Sequence, residues 1–315
     1  MNAEYPPGLE ALTAARPDAY HAVQYGPGVD RFGELWPAAG GPSPVPGGPS
    51  PAPVVVLVHG GYWRDRYRLD LMHAMAADLS GRGYAVWNVE YRRVGSPGGG
   101  WPGTFLDVAA ALDALADLAG QYRLDLGRVS VVGHSAGGHL ALWACGRHRL
   151  TESTALDADP RSGPEARHGT ETQHGTEALS GTEAPPEEEA LSPLFAPPRV
   201  APALAVSLAG VCDLRMAAAL RLSDDAVLGL LGGAPGEVPD RYDLACPTRL
   251  LPMGVPQVAL HGTDDVDVPL ELSTRYADLA GAECDLLVLP GVDHLALIDP
   301  ASAAWPSVLR ALARG

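Results

Sequence analysis

Cysteine is scarce. The four residues Cys145, Cys212, Cys246 and Cys284 stand far apart with no CxxC pair among them, so their spacing suggests neither a zinc cluster nor a disulfide framework, and they read as buried free thiols. Positive charge is also short: 22 Lys and Arg face 38 Asp and Glu, a net charge of −16. Such a field repels phosphate backbones and anionic lipid, which argues against a nucleic-acid or membrane partner. Long apolar runs are missing too. No stretch approaches the roughly 18 residues of a membrane span, and the first residues, MNAEYPPGLEALTAARPDAY, lack a basic segment followed by an apolar one. A cytoplasmic protein is the expectation. What remains is 46% apolar residues in a chain of 315, enough for one large α/β domain or for two smaller ones.

Pattern favours one domain. Pro53 to His59 (PVVVLVH) is β-branched without alternation, as in a strand buried on both faces at the centre of a parallel sheet. Two weaker strands, His21 to Tyr25 and Phe32 to Trp36, precede it and read as an antiparallel leading edge, so residues 1–52 form an edge and loop ahead of a core spanning 53–315. Helical spacing over Leu69 to Arg82 and Phe105 to Ala119 alternates with strands at Tyr84 to Val89 and Val129 to Val132. The alternation continues through Ala136 to Cys145, Ala203 to Leu208, Gln257 to Leu260, Ser273 to Gly281, Asp285 to Leu289 and Trp305 to Ala313. This predicts an α/β fold, one mainly parallel sheet with helices on both faces. Residues 151–198 break the pattern. HGTE at His168, HGTE at His174 and SGTE at Ser180 repeat a polar hexamer, with ten acidic residues against two basic ones over the segment. Such composition cannot bury a core and predicts a low-complexity, disordered insertion.

Chemistry concentrates at Gly133-His134-Ser135-Ala136-Gly137, a GxSxG set between a β-branched strand and an apolar helix. Its glycines permit a sharp turn that lifts the Ser135 hydroxyl beside a helix N-terminus. A serine is a weak nucleophile near neutral pH and needs a base of near-neutral pKa. Of ten histidines, His294 lies in PGVDH just after the last strand, where a side chain reaches the sheet's C-terminal edge. His59 and His261 precede glycines in turns and read as loop-holding residues. His134 and His139 flank the serine along the chain, which does not aim their rings at its hydroxyl. An acid must hold the histidine tautomer, and the loop after Gln257 to Leu260 offers Asp264, Asp265 and Asp267, with Asp213 at the end of an earlier strand. The loop His59-Gly60-Gly61-Tyr62-Trp63 follows the first core strand. Backbone amides of Gly61 and Tyr62, with that of Ala136, are the candidate donors to an oxyanion. Tyr62, Trp63 and Trp101, with the segment Leu214 to Met253, are candidates for a pocket that takes an aromatic acyl or amine group, although the same aromatics are equally suited to the core.

Taken together, HGGYW, NVEYRRVG, GHSAGGHL, HGTDDVDVP and GVDHL resemble the kynurenine formamidase and small-molecule esterase branch of the α/β-hydrolases over most of residues 20–310, the insertion excluded. Hormone-sensitive-lipase-like esterases more often carry a third glycine where this chain has Tyr62. The resemblance implies the α/β-hydrolase fold and a serine hydrolase that cleaves a small carboxylic ester or an N-formyl amide such as N-formylkynurenine, with no metal or organic cofactor. The loop HGTDDVDVP resembles the superfamily's HGxxDxxVP pattern, which makes Asp265 the triad acid ahead of Asp264. The chain order then becomes Ser135, Asp265, His294. Non-catalytic domains of this superfamily usually lose a triad member or the oxyanion loop, and this chain keeps all of them.

Overall fold

The β-branched run at residues 53–58 sits at the centre of the fold. In a computed structural model, which describes residues 9–14, 16, 19–39, 50–150 and 191–314, Val54, Val56 and Val58 enter one hydrophobic core and Val55 and Leu57 the other. Successive side chains of a strand point to opposite faces, so a strand with a core on each side must be apolar throughout.

Eight strands form one sheet: β1 (His21–Gln24), β2 (Phe32–Trp36), β3 (Ala52–Val58), β4 (Ala85–Val89), β5 (Leu124–His134), β6 (Leu204–Leu208), β7 (Gln257–Gly262) and β8 (Cys284–Leu289). Their spatial order is β1-β2-β4-β3-β5-β6-β7-β8. The pairs β1 with β2 and β2 with β4 are antiparallel, and every other pair is parallel. The antiparallel leading edge and parallel body therefore appear where the sequence places them.

A single turn, α1 (Glu10–Thr13), precedes α2 (His73–Gly81), α3 (Gly103–Tyr122) and α4 (Ala136–Gly146). Met75, Ala76 and Leu79 of α2 fill one core, whereas Phe105, Val108, Leu112 and Leu115 of α3 and Leu140 of α4 fill the other. Every residue of α4 is buried, as its all-round small and apolar composition requires. Between β6 and β7 run three short helices, α5 (Leu214–Ala219), α6 (Leu222–Leu231) and α7 (Pro239–Ala245). Periodicity did not mark them because they are short, and left-handed backbone at Ser223 to Asp225 interrupts the second. The closing helices are α8 (Leu270–Ala280) and α9 (Trp305–Leu312). Among the described residues, no helix is long and apolar enough to cross a membrane.

The low-complexity segment lies outside the described residues except for its end. There Ser192–Phe195 makes a 3-10 turn, and Leu194, only 1% exposed, joins the main core. Residues 191–198 thus belong to the folded body, contrary to the insertion expected over 151–198.

The GxSxG glycines have a reason beyond the turn. A Cβ on Gly133 would lie 1.9 Å from the Gly137 carbonyl oxygen, and one on Gly137 would lie 2.0 Å from that of Val58. Only hydrogens there let the first turn of α4 press against β3 and β5. Gly137→Ala should cost about 3 kcal/mol through forced separation of backbones and lower the melting temperature by roughly 6–12 °C. In contrast, exposed Gly120 in α3 has open space for a Cβ, and Gly120→Ala should raise stability by about 0.5–1 kcal/mol. Calorimetric scans of the two variants test the pair.

Candidate active site

Parallel pairing aligns the C-terminal ends of β3, β5, β6, β7 and β8 along one edge, the edge where open α/β sheets bind ligands. Four segments meet there: residues 59–63 after β3, Ser135 after β5, residues 263–269 after β7 and residues 290–294 after β8.

Ser135 carries the turn's unusual backbone, with φ 57° and ψ −120°. That conformation is unfavourable for a residue with a side chain and persists where the surroundings over-determine it. Here its amide donates to Leu208 O at 2.8 Å, and its carbonyl accepts from Gly138 N at 2.9 Å and Val211 N at 3.2 Å. The hydroxyl caps no helix and has no hydrogen-bond partner among the described residues. It is free to meet a reacting atom, and catalytic hydrogen bonds of this kind commonly tighten only around substrate.

Asp265 and His294 are joined directly, His294 Nδ1 donating to Asp265 Oδ2 at 2.6 Å. This leaves Nε2 as the ring nitrogen able to take a proton. The Asp265 carboxylate also accepts from Asp267 N at 2.9 Å and Val268 N at 2.8 Å, and His261 Nε2 lies 3.3 Å away. Burial opposes ionisation of this carboxyl, but the hydrogen bonds from His261, His294 and Val268 outweigh it and hold its pKa well below the usual carboxylate range. The other candidate acids have different occupations. Asp264 accepts from neighbouring Thr263 Oγ1. Asp267 is exposed and uses its carbonyl for Tyr62. Asp213 caps α5 through Met216 N and pairs with Arg275. The acid and base loops are laced together, since Asp264 N donates to Val292 O at 3.0 Å, Gly291 N donates to Thr263 Oγ1 at 2.9 Å, and a Cβ on Gly262 would lie 2.0 Å from Val292 O.

Behind the serine, Gly61, Tyr62 and Trp63 have φ of +111°, 50° and 57° in succession. Such runs turn successive amides toward one concavity that suits an anion. The amides of Gly61, Tyr62 and Ala136 find no acceptor among the described residues. A Cβ on Gly60 would touch Ser135 Cβ at 3.0 Å, so this loop lies directly against the serine. Its anchor is a buried network not evident from sequence. His59 Nε2 donates to Glu90 Oε1 at 2.9 Å, Tyr91 Oη donates to the His59 carbonyl at 2.8 Å, and the two rings stack 4.4 Å apart. Glu90 is paired with Arg93, and Arg93 with Asp30 at 3.0 Å. Burial works against Glu90's charge, but His59, Arg93 and the Tyr91 amide prevail and lower its pKa. The one available signal was the carboxylate inside NVEYRRVG, at the end of a core strand.

The aromatic pocket needs correction. Trp63 has no exposed surface and meets His139 edge-on at 5.3 Å, so it is core. Trp101 packs on Phe105 and lines a cleft of about 300 Å³ with Leu191, Val238, Pro239 and Leu244, a lining that includes neither Tyr62 nor Ser135. Tyr62 alone of the three stands at the candidate site. Its hydroxyl donates to the Asp267 carbonyl at 2.6 Å and bridges the loop after β3 to the acid loop. Burial, with Asp267 and Asp265 nearby, pushes its phenol up. The segment Leu214 to Met253 meets α4 through α7. His139 Nε2 donates to Ala245 O at 2.9 Å and Trp143 Nε1 to Leu244 O at 3.0 Å, so two side chains of α4 satisfy carbonyls at the end of α7. Asp265, Asp267 and His294 hold ligand atoms within 4.8 Å of one another, but Asp265 and His294 are already bonded to each other rather than splayed around an ion.

Several solved structures share this architecture at low identity. A bifunctional GH43-CE protein of Bacteroides eggerthii has 19% identity and a TM-score of 0.65, with 95% of this chain covered, and this chain spans only 38% of it. Esterase B of Lactobacillus rhamnosis HN001 has 17% identity and a TM-score of 0.68 over 97% of this chain and 88% of its own. It has also been solved with a tributyrin phosphonate inhibitor. The esterase Est2 of Thermogutta terrifontis has 18% identity and a TM-score of 0.61 over 99% and 92% of the two chains. The fold is that of an α/β-hydrolase. Residues 45–172 match the family model described as BD-FAE. No curated protein matches the chain.

Two histidines of this α/β-hydrolase core give it an acid-sensitive stability. Burial drives His134 down to about 3 and His139 down to about 4, so both stay neutral in the fold while the unfolded chain takes up protons below about pH 6.5. Their contribution is intact above that pH and is lost as pH falls toward 4, amounting to about 4 kcal/mol between pH 7 and 5. Urea unfolding over that range should show the slope, and His139→Gln should reduce it by about half. A flat profile would contradict the assignment.

Proposed function

We propose that this chain is a serine hydrolase that cleaves small carboxylic esters through an acyl-enzyme on Ser135. The observation that carries the reading is the short His294–Asp265 hydrogen bond on the same sheet edge as a serine held in a left-handed turn, with unpartnered amides beside it. In the proposed reaction, Ser135 Oγ attacks the ester carbonyl carbon while His294 Nε2 takes the hydroxyl proton. Asp265 holds the Nδ1–H tautomer and stabilises the imidazolium. Negative charge on the carbonyl oxygen is met by the amides of Gly61, Tyr62 and Ala136. Collapse breaks the ester bond, and His294 returns the proton to the departing alkoxide. Water, deprotonated by the same imidazole, then attacks the acyl carbon, and His294 passes that proton to Ser135 Oγ as the acyl–serine bond breaks and the acid departs. This chemistry needs no metal or organic cofactor.

The match to the BD-FAE model and the esterase and carbohydrate esterase names of the structural neighbours support an ester as substrate. A second reading, hydrolysis of an N-formyl amide in the manner of kynurenine formamidase, is favoured by HGGYW at 59–63, where Tyr62 replaces the third glycine. An amine is a poorer leaving group than an alkoxide, so this reading asks more of His294 as the acid.

Two outcomes are expected. Ser135→Ala should lower kcat/KM for p-nitrophenyl acetate about 10³-fold or more while remaining folded, and Asp265→Asn should lose a similar factor by failing to hold the tautomer. A folded Ser135→Ala variant with unchanged turnover would refute the nucleophile. Between substrates, short acyl esters should exceed N-formylkynurenine in kcat/KM by at least about tenfold, about 1.4 kcal/mol in barrier. The reverse ratio would make the formamide reading the better one.

A further inference from the structure

His134, the residue before the nucleophile, is buried to 3% exposure between the two loops that the proposed reaction uses. Its Nε2–H donates to the backbone carbonyl of His294 at 2.9 Å. Its ring lies 4.4 Å from the His294 imidazole, tilted by 48°. On the other side, a Cβ on Gly60 would sit 3.1 Å from His134 Nδ1 and 2.9 Å from its carbonyl oxygen. One side chain therefore touches the base, the base's own backbone and the glycine that abuts the serine.

We propose that His134 is a positioning residue that fixes the His294 imidazole over the nucleophile by holding the base's carbonyl and packing against its ring. The inference rests on the serine hydrolase reading and adds a residue to it. The short bond from Nδ1 to Asp265 constrains His294 at one ring atom only, and the ring can still swing about that bond. A donor to the His294 carbonyl and a surface along the ring remove this freedom, and misplacement by about 1 Å is enough to cost about 10²-fold in rate. Donation from Nε2 requires the proton on that nitrogen. Burial, then the neighbouring His294, keeps the ring from charging until about pH 3, although Asp265 pulls the other way and His261 adds to the lowering. A neutral His134 places no second positive charge against the imidazolium formed during turnover.

The test compares wild type, His134→Phe, which keeps a flat ring without the donor, and His134→Gln, which keeps an N–H donor at similar reach. In the Phe variant, kcat for p-nitrophenyl acetate should fall about ten- to a hundredfold with KM within about twofold, and the downfield proton resonance of the Asp265–His294 bond should shift or broaden. The Gln variant should retain at least about a third of kcat. Nitrogen-15 spectra of the wild type give a readout that needs no variant: His134 should be the neutral tautomer protonated on Nε2 from pH 8 down to 5. Wild-type kcat and an unmoved proton resonance in a folded Phe variant would overturn the role, as would the Nδ1–H tautomer in wild type. A wild type that neither hydrolyses the ester nor reacts with a fluorophosphonate overturns the hydrolase reading itself. A reactive wild type with an indifferent Phe variant overturns only the part assigned to His134.

Discussion

The carboxylate of Asp265 is the point on which the site's geometry converges. Two backbone amides from its own loop, at Asp267 and Val268, and the His294 ring all donate to it, with His261 close by. A carboxylate so supplied stays charged despite its burial, and a charged carboxylate there dictates which nitrogen of His294 carries a proton. Remove that charge and His294 has no fixed tautomer, the loop after β7 loses the acceptor that shapes its turn, and the two loops laced through Thr263, Asp264 and Val292 lose their common anchor.

A second constraint acts below Ser135. Gly133 and Gly137 bring α4 within backbone contact of β3 and β5, and that closeness places Ser135 against Gly60. The left-handed turn at Ser135 is the strained consequence, held by bonds to Leu208, Gly138 and Val211. The same helix carries His139 and Trp143 one and two turns further on, where they tie down α7. Packing of a single helix therefore positions Ser135, the loop behind it and α7.

Much of this was legible in the residues. The all-apolar run at 53–58 announced a doubly buried central strand, since no other environment tolerates apolar side chains on both faces. The GxSxG between strand and helix was enough to place Ser135 in the turn after β5, and the place of His294 just after the last strand followed from chain order. The choice of Asp265 over Asp264 was not available from residue type, because adjacent aspartates in a loop differ only in where the turn aims them. It came from a resemblance in spacing. Trp63 misled because a tryptophan next to an oxyanion loop serves a pocket or a core equally well, and only tertiary packing decides. Adjacency in sequence does not aim the His134 ring at the serine's hydroxyl. The partner of His134 is instead His294, 160 residues away in the chain, a pairing that only the sheet's crossover order creates. Glu90 escaped notice for the same reason.

The central claim is that Ser135 is the reacting atom's address. Peptide mapping of the protein after brief exposure to a fluorophosphonate tests it most directly, because the reagent bonds irreversibly to an activated serine and trypsin isolates residues 129–147 between Arg128 and Arg147. The account predicts one adduct, fragmenting to Ser135 rather than to Ser130 on the same peptide, and its loss on prior denaturation. A folded protein that carries no adduct, or carries it on any other residue, would contradict it.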